Sequence, residues 1–169
     1  MSEKRLTHLD GRGEAAMVDV SRKPVSARFA RASARLRTSP EVTRAITENR
    51  VAKGSVAAAA RLAGIMAAKR TAELIPLCHP LPLDVVEVDV SSADGLVSIE
   101  SRVRCSGRTG AEMEALTAAA VAALTVYDMC KSMDRTMEVG PIRLEEKSGG
   151  ASGHYCRGGR TPDLPLEEA

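Results

Sequence analysis

The chain has 169 residues, with 24 Lys+Arg against 22 Asp+Glu and a formal net charge of +2. That length suits one domain with a real core, and so small a net charge supplies no whole-molecule field for a nucleic-acid partner. No apolar run reaches the roughly 20 residues that span a bilayer, and the opening MSEKRLTHLDGRGE has no hydrophobic signal region, so no membrane partner and a cytoplasmic location are expected.

Aromatics are limited to Phe29, Tyr127 and Tyr155, while alanine is abundant. Small side chains let helices approach closely but bury little area each, so burial between subunits, and hence an oligomer, is expected. Cys78, Cys105, Cys130 and Cys156 are scattered with no CxxC pair, which argues against a zinc site or a disulfide framework.

In chain order, residues 1–20 hold little periodic pattern and read as a mobile arm. Ala27 to Arg37 alternates, which predicts a first strand. Ser39-Pro40 is a helix start, with Ser as N-cap and Pro at the first position, and Asn49 closes that short helix. Ser55 caps a second helix, VAAAARLAGIMAAKR, and Thr71 caps one more turn before Pro76. LCHPLP is a fixed, proline-bound loop. Val86, Val88 and Val90 alternate with Val85, Glu87 and Asp89 in a strand, Asp94-Gly95 signals a hairpin, and Val97 to Cys105 returns.

Ser106 to Gly110 is a loop before one long helix running to Lys131, with Thr109 and Glu112 at capping-box spacing. Glu114, Thr117, Val121, Leu124, Asp128 and Lys131 recur at spacings of three and four residues, one stripe whose apolar middle should face a core or a subunit interface. Glu138 to Glu145 is a last strand, with Pro141 marking an edge or bulge. The order is βαββαβ once the split first helical unit is counted once. It predicts an α+β, ferredoxin-like domain over residues 21–150, an antiparallel sheet with helices packed on one face. Residues 151–169 read as a flexible tail.

Several groups carry chemistry. Prolines hold Cys78 and His79 between them, and the imidazole suits phosphate contact or proton transfer, or is simply a solvated turn residue. Lys53-Gly54 before a helix start can meet an anion, or is surface. Glu112 either completes the capping box or, with Glu114, accepts hydrogen bonds from a guanine-like edge. Asp128 and Lys131 are either a proton-exchanging pair or an i,i+3 ion pair worth about 0.2–0.5 kcal/mol. Lys147 to Gly150 looks like a phosphate-gripping turn without Walker spacing, or an ordinary strand exit.

KGSVAAAARLAGIMAAKRTAELIPLCHPLPL, TGAEMEALTAAAVAALTVYDMCK and EKSGG together closely resemble the cyclic pyranopterin monophosphate synthases, the accessory protein C family of molybdenum cofactor biosynthesis. The likeness runs from about Met17 to Gly153. It implies conversion of 3′,8-cyclo-7,8-dihydro-GTP to cyclic pyranopterin monophosphate with loss of pyrophosphate, and no redox cofactor. It implies a ferredoxin-like fold and a homohexamer, a trimer of dimers with active sites at subunit interfaces. Substrate-binding positions fall on Leu77, Cys78, His79, Met113 and Glu114, the catalytic aspartate on Asp128, and implicated lysines on Lys53, Lys69, Lys131 and Lys147. The family's basic residue in the first strand corresponds to Arg28. Ala16 stands where the family commonly has His, leaving that role absent or supplied elsewhere, with His154 a candidate. The rival class is a non-catalytic ferredoxin-like nucleotide-binding regulatory module. RNA binding is disfavoured, because the two middle strands carry no aromatic on which a base can stack.

Overall fold

The computed structural model describes residues 12–151 and 153–159. Of the arm expected over residues 1–20, residues 1–11 lie outside that range, as do residues 152 and 160–169 of the expected tail. Nine elements follow in order: β1 (Ser26–Arg37), α1 (Pro40–Thr47), α2 (Val56–Lys69), α3 (Thr71–Leu74), β2 (Leu83–Ala93), β3 (Leu96–Gly107), α4 (Glu112–Cys130), β4 (Glu138–Ser148) and β5 (Tyr155–Cys156). The sheet order is β2-β3-β1-β4-β5, and every pairing is antiparallel. The first four strands have the expected ferredoxin-like arrangement. β5 is an addition in the segment read as flexible tail; two residues are too few to show alternation.

Local chemistry explains most boundaries. The Ser39 hydroxyl accepts from the Val42 amide with Pro40 at the first turn, and the Ser55 hydroxyl accepts from the Ala58 amide. Asn49 follows α1 in the left-handed region at φ 53, a conformation its short amide tolerates. Asp94 (φ 49) and Gly95 (φ 77) make the two-residue turn between β2 and β3, where positive φ at both positions matches the strand twist. Between β1 and β4 the register shifts around Ala34 and Leu36, opposite Gly140-Pro141, so Pro141 sits at a bulge.

Two expected caps fail. Thr71 does not cap α3. It is buried, and its hydroxyl donates back to Ala67 and Ala68 carbonyls at 3.3 and 3.0 Å. The Thr109–Glu112 capping box is absent as well: α4 starts at Glu112 with Ala111 at its N-cap and no side-chain cap.

The core lies between one sheet face and the helices. Ala30, Ala32, Ala34 and Leu36 of β1 and Val97, Ile99, Val103 and Cys105 of β3 point inward, all buried. α4 lays Ala115, Ala118, Ala119, Ala122, Ala123, Val126, Met129 and Cys130 against them. Of the stripe expected to face a core or a subunit interface, Glu114 and Thr117 are buried, Val121 is intermediate, and Leu124, Asp128 and Lys131 are exposed in this single copy. By length and composition α4 is apolar enough to cross a bilayer, although no uninterrupted apolar run is that long; here it packs on β1, β3, β4 and α2. α2 runs antiparallel to α4 at close range, and a Cβ on Gly64 would lie 2.9 Å from the Ala118 carbonyl oxygen. Within the core, the Ser101 hydroxyl of β3 donates to the Ala115 carbonyl at 2.7 Å, tying the first turn of α4 to the sheet. The opposite sheet face carries ion pairs, including Arg31 with Glu100 (3.1 Å) and Glu146 (3.2 Å).

Candidate functional site

At the N-terminal end of α4 a cavity of about 320 Å³ is lined by Leu77, Cys78, His79, Leu81, Thr109, Gly110, Glu112, Met113 and Glu114, with Val18, Val20 and Lys23 closing one side. The proline-flanked turn between α3 and β2 supplies the first three, and the first turn of α4 supplies both carboxylates. Glu112 leans back over Gly110, where any Cβ would collide with its carboxylate, and pairs with Lys147 of β4 at 3.0 Å. That pairing takes the carboxylate away from capping. Glu114 is only 4% exposed. Burial pushes its carboxyl up, neighbouring Glu112 adds to the rise, and its own amide opposes it. Burial, with Glu114 second, also raises the Cys78 thiol, so Cys78 lines the site as a thiol rather than a thiolate.

Arg28 of β1 lies at the edge of this region. Its Nε donates to the Gly107 carbonyl at 3.1 Å and an Nη to the Arg108 carbonyl at 3.2 Å. Its guanidinium also passes over Gly150, where any Cβ would collide with it. Arg28 thus joins the loop before α4 to the glycine turn after β4, and two of its donor groups are committed to backbone.

The second cluster occupies the other end of α4. Gly54, at φ 94, turns the chain just before α2. Lys53 Nζ there donates to the Asp128 backbone carbonyl at 2.8 Å and lies 3.2 Å from its carboxylate. Lys131 Nζ is 2.7 Å from the other carboxylate oxygen. A cation at the last turn also meets the negative end of the helix dipole and one of its open carbonyls. The hydrogen bond from Lys131, then that from Lys53, holds the Asp128 carboxyl below the usual range. The same contact with Asp128 raises the Lys131 ammonium. All three side chains are about half exposed, so this trio has no packing role to explain it.

The structure therefore sorts the expected site residues into two groups. Leu77, Cys78, His79, Glu112, Met113 and Glu114 share one cavity, with Lys147 and Arg28 beside it. Lys53, Asp128 and Lys131 form the other, about 21 Å away along a helix that rises about 1.5 Å per residue. Lys69 is exposed at the end of α2, outside the cavity lining and, by the antiparallel packing, on the cavity's side. His154 pairs with Glu146 at 2.9 Å rather than lining the cavity. Lys23, Val18 and Val20 are not among the site residues the sequence points to; Met17-Val18-Asp19-Val20 reads there as the end of an arm and the start of the family likeness, and Lys23 carries no signal.

The model of the MoaC family matches residues 17–150. The chain is 60% identical over 154 residues to a protein of Thermomicrobium roseum named cyclic pyranopterin monophosphate synthase, covering 90% of this chain and 93% of that one. It is 58% identical over 153 residues to cyclic pyranopterin monophosphate synthase 1 of Mycobacterium bovis, covering 90% of each. The synthase of Parvibaculum lavamentivorans is 54% identical over 157 residues, 92% of this chain and 98% of the relative.

Proposed function

Because the chain belongs to the MoaC family, we propose that it converts 3′,8-cyclo-7,8-dihydro-GTP to cyclic pyranopterin monophosphate with release of pyrophosphate. It is then a lyase of molybdenum cofactor biosynthesis, like the relatives that carry the synthase name over nine-tenths of its length. The single observation that carries the chemistry is Asp128 held between two ammonium groups at 3.2 and 2.7 Å on an exposed helix end.

The roles follow from charge and placement. By placement on the exposed helix end, Asp128 serves as base and Lys131 as acid; their ion pair fixes both positions while weakening both groups, since it lowers the carboxyl and raises the ammonium. Together with Lys53 they exchange protons while the imidazole-derived ring opens and the pyran ring closes. Glu114 and Met113, with Leu77 and Cys78 opposite, hold the base end of the nucleotide, and Glu112 adds an acceptor. Arg28, Lys53, Lys69, His79 and Lys147 supply positive charge for the triphosphate and for the pyrophosphate that leaves.

One copy does not bring these groups together, since the two clusters sit at opposite ends of α4. A homohexamer, a trimer of dimers with sites at subunit interfaces, joins one copy's cavity to a neighbour's trio. Exposed Leu62, Met66, Leu74 and Leu124 on the outer side of the helices support packing against another copy. One catalytic domain over residues 21–150, in a cytoplasmic protein, completes the reading.

The decisive experiment incubates the protein with the cyclised GTP intermediate and detects both the pterin product and pyrophosphate. Turnover supports the enzyme. Tight binding without product favours the nucleotide-binding regulatory module instead.

A further inference from the structure

Asp134 ends the turn that follows Lys131, and its carboxylate makes an unusual number of local contacts for an exposed loop. One oxygen accepts from the Thr38 hydroxyl at 2.9 Å and from the Ser39 amide at 3.1 Å. The other accepts from the Thr136 amide at 2.8 Å and its hydroxyl at 2.7 Å. Four donors on one carboxylate make a latch between the post-α4 loop and the corner where β1 turns into α1. That corner is itself braced: Ser39 caps α1, and the Thr38 amide donates to the Gly95 carbonyl at 2.8 Å.

The latch matters because of what lies on its near side. The amides of Met133 and Asp134 both donate to the Cys130 carbonyl, at 2.8 and 3.3 Å, so residues 130–134 form one continuous turn off the helix end. Lys131 lies within it. The Lys131 and Asp128 side chains are more than half exposed, held at their tips by each other and by Lys53. Their relative placement also depends on the backbone beneath. Helix ends fray and exposed loops open at low free-energy cost unless tied down.

Building on the synthase reading above, we infer that Asp134 is a positioning residue for the reaction, pinning the loop that holds Lys131 against Asp128. It does not touch the reacting atoms. Its removal lets the helix end loosen, so the proton-exchanging pair spends less time in register with bound substrate, while the substrate-binding cavity at the far end of α4 is unaffected. The effect therefore falls on kcat and spares KM.

The test is steady-state kinetics on the full chain with the cyclised GTP intermediate, for Asp134→Ala, Asp134→Asn, Thr38→Val and the Thr38→Val/Asp134→Ala double variant. Misplacing a catalytic group by about 1 Å can cost on the order of 100-fold, so Asp134→Ala is expected to lower kcat by about 10- to 100-fold with KM unchanged. Asp134→Asn keeps one acceptor oxygen and should fall between it and the parent. Thr38→Val removes one hydrogen bond of the latch, for a loss of about threefold. The double variant should be no worse than Asp134→Ala, because both act through one contact. A folded Asp134→Ala protein with a lowered melting temperature but parental kcat would overturn the inference, as would a rise in KM alone or independent effects in the double variant. If Asp134→Ala does not fold, Thr38→Val decides alone, and parental kcat there refutes the latch. A parent that makes no product refutes the synthase reading itself and this inference with it.

Discussion

The two ends of α4 hold carboxylates of the same chemistry under opposite conditions. Glu114 is buried beside a cavity, and burial raises its carboxyl. Asp128 is exposed between two lysines, and their hydrogen bonds lower its carboxyl. Proximity along one rigid helix does not make their roles alike. On the proposed reading the buried end serves recognition, with a carboxylate that gains from a ligand's N–H donors. The exposed end then serves proton exchange, with a carboxylate and two ammonium groups side by side.

Substitutions can break this contrast, and the largest effect is expected at the exposed end. Lys131→Ala removes the acid without disturbing packing. Turnover should drop by about 1,000-fold or more, with circular dichroism and oligomer size unchanged; normal product formation would remove Lys131 from the mechanism. Asp128→Asn comes next. Its rate on bound substrate should fall by about 100-fold while calorimetry still shows substrate binding. If binding fails instead and bound substrate reacts normally, Asp128 only positions. Asp128 is exposed, so its depressed carboxyl contributes little stability; that contribution is present above its ordinary value, so at neutral pH the variant should melt slightly below the parent, and the gap should close on acidification.

At the buried end the signature should be different in kind. Glu114→Gln should raise KM by about tenfold, the loss of a charge-assisted hydrogen bond, with kcat nearly intact. Its stability should also respond to pH in the opposite sense from Asp128. A carboxyl raised in the folded state favours folding below its ordinary value of 4.5 and loses that contribution as pH rises through the folded value. At pH 7 Glu114→Gln should therefore melt at or above the parent, and the difference should vanish on acidification below that ordinary value. The smallest effect on catalysis is expected between the two ends. Gly64→Ala forces a methyl group to within 2.9 Å of the Ala118 carbonyl oxygen, so a loss of about 1–3 kcal/mol in denaturant unfolding is expected. A variant of parental stability would show that the α2–α4 contact has slack.

Sequence pattern captured much of this molecule wherever a residue's local chemistry decided its conformation. Ser39-Pro40, Ser55 and Asp94-Gly95 act within a few residues of themselves, and the elements they bound are where expected. The pattern failed where a distant partner decided. Glu112 has capping spacing, but Lys147 takes its carboxylate from another strand. Thr71 precedes a turn, but the carbonyls of Ala67 and Ala68 behind it offer its buried hydroxyl a partner. The core face of α4 is mostly alanine, which leaves no contrast in hydrophobicity for a periodicity to reveal, so the stripe through the larger Val121 and Leu124 marks a largely exposed side of this copy instead. The site residues came from resemblance and from motif chemistry, and their division into two clusters came only from the structure. No spacing in the sequence says that residues 53 and 128 meet while 79 and 128 do not.

The unbroken course of α4 has a further implication. Its 19 residues form one uninterrupted helix from one cluster to the other, so the helix serves as a ruler for the domain. Inserting a single amino acid midway would swing every later side chain by about 100° and slide it by about 1.5 Å. The aspartate would then miss the Lys53 tip, while its neighbour Lys131 moved with it and the far pocket kept its shape. Insertions and deletions should accordingly be refused within that span.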